Sequence, residues 1–224
     1  KIMIGESINF QKYDKKLAIR LEEVLQNKLE GLYVGIPDVF GYCNDNYFRR
    51  VMVSCRHYLY KFMNFENVYL DAKITRQANF ATKDYYANLK KIWQDKDLII
   101  VEGAGSRLGI GNDLFANAKS IERIICPIKD AFSRYDEILA ECKTCDKEKL
   151  FILALGPTAT VLAYDLAQSG YRAIDAGHID TMYEWFLNDG KKCSIEGKIV
   201  FNNERKADKI PHCKDENYYK QIIA

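Results

Sequence analysis

The sequence predicts an α/β fold, in which a Rossmann-like, mainly parallel sheet is flanked by helices. Two short, continuous apolar runs, at residues 98–101 and 151–155, indicate strands that are buried on both faces. Segments whose apolar residues recur at helical spacing alternate with the predicted strands. Because neighbouring parallel strands need helical crossovers between them, this alternation is typical of an α/β sheet.

Length and charge narrow the class of protein. The 224 residues, 48% of them hydrophobic, suffice for one domain with a substantial core. The 33 basic and 31 acidic residues are interspersed, which argues against a protein that binds nucleic acid. No apolar run reaches the roughly 18 residues of a transmembrane helix, and the first residues lack the apolar core of a signal peptide. We therefore expect a cytoplasmic protein without a transmembrane segment.

The seven cysteines are irregularly spaced, which indicates reduced thiols and not a disulfide framework. Cys142 and Cys145 form a lone CxxC pair, without a second pair or a nearby histidine to complete a zinc site. We expect both to be surface thiols.

The first half of the chain predicts helices around two short strands. Taken in order, the elements are a helix over 13–28, a strand over 32–36, a loop over 37–46, a helix over 48–62, a strand over 68–74 and a helix over 85–93. The second strand ends on Thr75-Arg76, and an arginine at the carboxyl end of a strand can bind a diphosphate. A surface ion pair is an equally good interpretation of Arg76.

A glycine-rich loop, Gly103–Gly111, follows the strand at 98–101, with Glu102 at the junction. Glycine permits backbone conformations that other residues avoid, so the loop could close tightly around a ligand. The first two glycines match a dinucleotide fingerprint, but the third is displaced and no acidic residue follows at the usual interval. Asn112 has the residue type of an N-cap for a helix that we expect over 113–119.

The second half predicts a regular alternation of strands and helices. The elements are a strand over 121–127, a helix over 131–142, a strand over 151–155, a helix over 157–169, a strand over 171–175, a short helix over 181–187 and an edge strand over 198–201. Residues 1–202 are expected to form one domain. Charged residues dominate from residue 203, so 203–224 is predicted to be either a tail or a terminal helix.

The stretch from 150 to 186 predicts a complete βαβ unit. Gly156 breaks its first strand, Pro157 fits the first helical position, and Gly170 ends the helix. The free backbone N–H groups at the start of such a helix point beyond the strand ends, where they favour an anion.

Polar residues follow the second strand of this unit: His178, Asp180 and Glu184. They lie at the carboxyl edge of the predicted sheet, where open α/β sheets bind their ligands. His178 could orient a phosphate, bind a metal or contact an acceptor, although an isolated histidine is more often a loop residue bonded to backbone. Asp180 could assist metal binding or cap the next helix. Asp175, at the strand end, is either a ligand to a ribose or to an acceptor, or a structural partner.

Four strings in the sequence resemble one known family. They are VEGAGSRLGIGNDLF at 101–115, IERIICP at 121–127, LALGPTATVLAYDLA at 153–167 and AIDAGHIDTMYEWF at 173–186. In their order and in their residues, these strings are similar to motifs of the bacterial glycosyltransferases of the GT-D fold, once classed as a domain of unknown function. The similarity extends roughly from Ile8 to Phe201, and four long collinear motifs are far more specific than a single glycine pattern.

The resemblance implies a Rossmann-like domain that transfers a sugar, typically glucose, from a UDP-sugar to a growing glycan with the help of Mn²⁺ or Mg²⁺. It implies an acceptor that is a glycan or a lipid-linked saccharide, used for surface glycoproteins, capsule or other polysaccharides. Further glycosyltransferase domains or a second copy of the chain are the expected protein partners.

One departure concerns the metal. The family carries an Asp-x-Glu motif in an Arg-Phe-Gly-Asp-Gly-Glu context, and this string does not occur here. We expect the motif upstream of Lys1, so that His178 and Asp180 are the only metal-ligand candidates within the chain. Asp146-Lys147-Glu148 has the bare spacing but lies on a polar turn, and we do not take it as a substitute.

The resemblance also suggests roles for single residues. The candidates for donor binding are Gly156, Pro157, Thr158, Arg107, Gly109, Asn112, Asp113, Arg76 and Glu102. Backbone N–H groups and a hydroxyl at the helix start would hold phosphate, and an arginine would neutralise the leaving diphosphate. Glu102 is either a ligand to the ribose or to the acceptor, or a structural partner of Arg107 or Arg123. Glu184 would act as general base in an inverting transfer, or is a helix-surface carboxylate.

Two other classes of function stay open from the sequence. The glycine-rich loop could serve a nucleotide-cofactor enzyme such as an oxidoreductase. A domain that lacks its acidic motif could also be a non-catalytic module that binds a glycan or a partner enzyme.

Overall fold

The protein is built on two parallel sheets. The computed structural model describes residues 1–37, 56–76, 81–199 and 210–224. The smaller sheet pairs β1 (Val34–Ile36) with β2 (Tyr69–Asp71). The larger sheet contains β3 (Asp97–Gly103), β4 (Ser120–Cys126), β5 (Leu150–Ala154) and β6 (Arg172–Asp175) in the order β4–β3–β5–β6, with every pair parallel.

Helices flank the larger sheet, which confirms the predicted α/β class. They are α1 (Lys15–Gln26), α2 (Lys83–Lys90), α3 (Tyr135–Thr144), α4 (Pro157–Gln168), α5 (Ile179–Leu187) and α6 (Glu216–Gln221). Asp14 and Thr82 begin α1 and α2, since their side-chain oxygens accept the N–H of Leu17 and Tyr85 at 2.9 and 3.1 Å. Residues 56–62 are also helical.

The larger sheet is buried on both faces because alternate residues of each strand enter different hydrophobic clusters. Ile99 of β3 and Phe151 of β5 pack with α1, α3 and α4. Their neighbours Leu98 and Ile152 pack on the opposite face with α2 and α5. This is why the two strands have continuous apolar sequences with no polar alternation.

The strand order creates a crevice at one place in the sheet. From β3 the chain continues to β4 on one side, and from β5 it continues to β6 on the other. The two connections diverge from adjacent strands, so the carboxyl ends of β3 and β5 form a topological switch point. Open α/β sheets bind their ligands at such points.

The helix predicted over 113–119 is wrong. That segment forms a series of turns, in which Ala116 N–H donates to the Asp113 carbonyl at 3.2 Å and Ala118 N–H donates to the Phe115 carbonyl at 3.0 Å. The Asn112 side chain accepts the Leu114 N–H at 3.0 Å. Such local side-chain bonds compete with helical hydrogen bonding and favour turns.

Several smaller predictions also need correction. The strand expected over 68–74 is only Tyr69–Asp71 long, and a 3₁₀ helix, Ala72–Thr75, replaces its end. Cys142 is fully buried in the core and is not a surface thiol, because α3 turns this side chain toward the sheet. Lys198 and Ile199 are not in a strand. Residues 200–201, the loop after β1 and most of the helix expected over 48–62 lie outside the described residues.

The end of the chain packs against the free edge of β4. Ile223 N–H donates to the Arg123 carbonyl at 2.9 Å, and Ile125 N–H donates to the Ala224 carbonyl at 2.7 Å. Tyr218 of α6 is buried beneath the guanidinium groups of Arg107 and Arg123. Of the two alternatives for residues 203–224, the described part therefore contains a docked terminal helix.

In the described part of the chain, no helix combines the length and the apolar character that are needed to cross a membrane.

We predict that Gly156→Ala destabilises the fold far more than Gly170→Ala at the other end of α4. Both glycines have positive φ, +58° and +82°, but a Cβ at Gly156 would collide with the Phe10 ring, whereas at Gly170 its nearest neighbour is 4.0 Å away. Backbone strain alone costs about 1–2 kcal/mol, and overpacking adds about 1–3 kcal/mol at Gly156 only. Urea unfolding of both variants measures the difference, and equal losses would contradict the expectation.

Candidate functional site

A cavity of about 390 Å³ lies at the switch point between β3 and β5. Gly103 and Ala154 line it at the strand ends, and Gly156 and Pro157 line it at the start of α4. Phe10, from the amino-terminal segment, closes one side. The cavity has the volume and the position in the fold that are usual for small-molecule sites in α/β proteins.

The turn into α4 has the geometry predicted for anion binding. Gly156 adopts φ +58° and ψ −140°, a conformation that side chains rarely tolerate, and Pro157 occupies the first helical position. The positive end of the α4 dipole therefore points at the cavity. Thr158 does not contribute its hydroxyl, because this group is buried and donates to Gln11 Oε1 at 3.3 Å. Thr160, one position beyond Ala159, lines the cavity in its place.

Three ionisable side chains lie together in the cavity wall: Asp175, His178 and Arg76. Burial raises the pKa of Asp175 above its ordinary value, against the opposing effects of the Thr160 hydrogen bond, the Gly177 N–H and Arg76. Burial, together with the smaller effect of the nearby Arg76, lowers the pKa of His178 to about 4. The imidazole is consequently neutral at physiological pH, whereas Arg76 and Lys129 are cationic side chains that line the same cavity.

Asp180 and Glu184 of α5 share a single ammonium group. Lys198 Nζ lies 2.7 Å from Asp180 Oδ2 and 3.0 Å from Glu184 Oε1, and the lysine side chain is only 4% exposed. Asn112 Nδ2 also donates to both carboxylates, at 2.9 and 2.7 Å. Asp180 accepts a further bond from Gly109 N–H at 2.8 Å. The loop before β4 and the segment after α5 are thus tied to one helix.

Glu184 does not line the first cavity, although Asp180 does. It lines a second cavity of about 540 Å³, whose other walls include Gly197, Pro211 and Cys213. The hypothesis that the Gly156 turn and Glu184 open into one crevice is therefore corrected: they face two neighbouring cavities. Lys198 and Asn112 each bond both Asp180 and Glu184, so they connect a residue of the first cavity to a residue of the second.

The residues that were candidates for a metal do not fit one. Asp180 Oδ1 accepts two bonds, from Gly109 and Asn112, and Oδ2 is paired with the Lys198 ammonium, a cation that disfavours a metal ion beside it. No group of three or more histidine, cysteine or acidic side chains is arranged for a metal within the described ranges. His178 and Asp180 consequently offer too few free donor atoms to hold Mn²⁺ or Mg²⁺.

The other donor-site candidates have structural contacts. Arg107 is buried, donates to the carbonyls of Gly197 and Pro211, and lines the second cavity. Asp113 accepts bonds from Lys90 and Tyr183 at 2.7 and 2.6 Å.

Glu102 is completely buried, so its role as a structural partner is the alternative that the contacts support. Its Oε1 accepts a hydrogen bond from Arg123 Nη1 at 2.6 Å, and its Oε2 accepts one from the Leu108 N–H at 2.7 Å. Burial raises the pKa of Glu102, and Arg123 opposes this effect.

Phe10, Thr160 and Lys198 are among the cavity residues that sequence reasoning missed. Thr160 could have been found from helical spacing, because it lies in the first turn of α4 and its residue type suits a polar wall. Lys198 and Phe10 reach the site through contacts between segments that are far apart in the sequence. No local sequence pattern predicts such contacts.

The fold and the site place the chain among Rossmann-like α/β domains with a small-molecule cavity at the switch point. A family model described as the glycosyltransferase GT-D fold matches residues 1–203. The chain therefore belongs to the GT-D family of glycosyltransferases, which confirms the family inferred from the sequence motifs.

Two curated relatives are similar along the whole chain. The probable glycosyl transferase Gly of Streptococcus gordonii is 37% identical and the glycosyltransferase GlyD of Streptococcus pneumoniae is also 37% identical, each over 100% of this chain. The match covers 34% and 29% of their lengths, so the chain spans about a third of each relative.

Solved structures are similar at the level of the fold. One, described as a highly conserved domain of unknown function with a distinct glycosyltransferase fold, has a TM-score of 0.89 and 38% identity over 99% of this chain and 84% of its own. Another, described as a new glycosyltransferase from Streptococcus sanguinis, has a TM-score of 0.87 and 38% identity over 100% of this chain and 88% of its own.

We predict that Arg123→Met lowers the free energy of unfolding by about 3–5 kcal/mol, because it leaves the Glu102 carboxylate buried without its cation. Adding Glu102→Leu to this variant should restore part of the loss. Lys28→Met, which removes the exposed pair with Glu66, is the control and should change stability by less than about 1 kcal/mol. A loss at Arg123 as small as that of the control, in urea unfolding, would show that the buried pair is dispensable.

Proposed function

We propose that this domain transfers a hexose, glucose in the first instance, from a UDP-sugar to a hydroxyl of a glycan or lipid-linked saccharide. The observation that carries the proposal is the 390 Å³ cavity at the switch point, with the start of α4 at its wall. Family membership supports the class of reaction.

The diphosphate of the donor is proposed to lie between the start of α4 and Arg76. The helix dipole and the guanidinium would both stabilise the charge that develops as UDP departs. Arg76 lines the cavity, where its charge favours the ionised form of Asp175 and the neutral form of His178. A neutral His178 can donate one hydrogen bond to the donor without adding charge.

Glu184 is proposed to be the general base. Its Oε1 is held by Asn112 and Lys198, whereas no described residue forms a hydrogen bond with its Oε2. An acceptor that enters the second cavity would meet this free oxygen. The acceptor hydroxyl would lose its proton to Glu184 as its oxygen attacks the anomeric carbon, and UDP would leave from the opposite face, which inverts the configuration.

A divalent metal, Mn²⁺ or Mg²⁺, stays part of the proposal and would add positive charge at the diphosphate. The described residues do not form its site, so no step of the mechanism is assigned to it.

The biological setting is proposed from the family and the relatives. We propose a cytoplasmic enzyme that acts in the synthesis of surface glycoprotein glycans, capsule or other polysaccharide. Because the relatives are about three times as long as this chain, a second glycosyltransferase domain is the protein partner that we propose.

Binding of UDP tests the donor site. We predict that UDP with Mn²⁺ raises the thermal unfolding temperature, since a ligand at 100 times its Kd stabilises a protein by about 2.7 kcal/mol. Arg76→Ala should weaken UDP binding roughly 10- to 100-fold through loss of a charged contact. Arg56→Ala removes an exposed arginine and should leave binding unchanged. NAD binding without any response to UDP would select the oxidoreductase alternative.

Replacement of Glu184 tests the base. We predict that Glu184→Gln lowers the rate of sugar transfer by about 10²- to 10⁴-fold, because the amide cannot take the proton. The Kd for UDP, measured by calorimetry, should change by less than about threefold, since Glu184 is outside the donor cavity. Glu137→Gln, at an exposed site on α3, should preserve both quantities. A large loss of UDP affinity in the Glu184 variant would instead assign Glu184 to the donor site.

A further inference from the structure

Asp175 is a cavity carboxylate that the proposed mechanism does not use. It lies at the carboxyl end of β6 and lines the cavity together with Gly156 and Pro157. Within the described residues it has no salt bridge, yet it is held in a position where burial raises its pKa. A carboxylate kept in such a place without an ion pair is costly, so a functional reason for it is expected.

The order of elements around Asp175 indicates what it contacts. In doubly wound sheets that bind nucleotides, the diphosphate lies at the first helix of a βαβ unit. An acidic residue about 20 positions later, at the end of the second strand, accepts hydrogen bonds from the ribose. Here β5, α4 and β6 form such a unit beside the switch point, and Asp175 lies 19 positions after Gly156.

The hydrogen bonds of Asp175 leave room for such a contact. Its Oδ2 accepts the Thr160 hydroxyl at 2.7 Å and its Oδ1 accepts the Gly177 N–H at 3.2 Å. Each carboxylate oxygen has a second lone pair, so each can accept one more donor from the cavity. Thr160 stands in the first turn of α4, which fixes the carboxylate relative to the anion-binding end of that helix.

We propose that Asp175 accepts hydrogen bonds from the ribose hydroxyls of the nucleotide donor, so that the nucleoside lies over the end of β6 and the diphosphate over the start of α4. The proposal rests on the proposed UDP-sugar donor and adds the residue that recognises the ribose of its nucleotide. It makes Asp175 a specificity residue for ribonucleotides, oriented by Thr160 and Gly177.

The test compares two ligands across variants. Calorimetric titration with Mn²⁺ present gives the Kd of UDP and of 2′,3′-dideoxyuridine diphosphate, which lacks both ribose hydroxyls. The unmodified protein should bind the dideoxy analogue at least tenfold more weakly than UDP, as expected for loss of hydrogen bonds to a charged acceptor. In Asp175→Ala the ratio of the two Kd values should fall to within about twofold of one.

The ratio separates recognition from structural support, because a structural role of Asp175 would weaken both ligands alike and leave the ratio unchanged. Asp165→Asn is the matched control on the same βαβ unit: Asp165 bonds Arg20 and Tyr135 outside the cavity, so its ratio should stay as in the unmodified protein. Asp175→Asn, which keeps the side-chain shape, provides a folded variant if the alanine fails to fold, and its ratio should also decrease.

Equal affinity of the unmodified protein for UDP and the dideoxy analogue would overturn the role of Asp175 while leaving the UDP-sugar donor intact. A ratio unchanged in both Asp175 variants would do the same. Failure of the unmodified protein to bind UDP at all would overturn the proposed donor, and the assignment of Asp175 with it.

Discussion

The buried ion pair between Glu102 and Arg123 is the interaction on which the site depends. Glu102 is the last residue but one of β3 and Arg123 lies in β4, and their side chains are 0% and 1% exposed. Removing two charges from water is costly, so the pair is tolerable only if their remaining hydrogen-bonding groups are satisfied. Leu108 of the glycine-rich loop supplies two of these hydrogen bonds. Its N–H donates to Glu102, and its carbonyl accepts a bond from Arg123 at 2.9 Å. Gln221 of α6 accepts the remaining Arg123 Nε at 2.7 Å.

These bonds explain how the sheet controls the catalytic candidates. The ion pair fixes Leu108, and the next residue, Gly109, donates its N–H to Asp180. From Asp180 the contacts continue through Lys198 and Asn112 to Glu184. The glycine-rich loop therefore acts as a support that orients carboxylates on α5, while Gly103, Ser106 and Leu108 line the first cavity. Side chains held in this way by neighbours are a common means of keeping reacting groups in place.

Much of the fold could be predicted because it is determined by local patterns. Continuous apolar runs mark β3 and β5, and Pro157 and Gly170 mark the ends of α4 through restrictions on backbone geometry. The direction of the Thr158 hydroxyl could not be predicted, because Gln11, far away in the sequence, competes for it. The helix expected at 113–119 fails for a similar reason, since the Asn112 side chain is bound by α5 and by a local backbone group. Long-range polar contacts carry no periodic signal.

The charge distribution of the two cavities is consistent with an anionic donor. Two carboxylates on α5 beside a diphosphate would repel it strongly at short range and in a low dielectric. Lys198 offsets this repulsion, since its ammonium is nearly buried and contacts both Asp180 and Glu184. Arg76 and the start of α4 then set the sign of the potential where the diphosphate would lie, whereas Asp175 offers hydrogen-bond acceptors in the wall of the same cavity. A ligand with a charged centre and hydroxyl groups at its ends would match this arrangement of charges. A nucleoside diphosphate sugar has this general form.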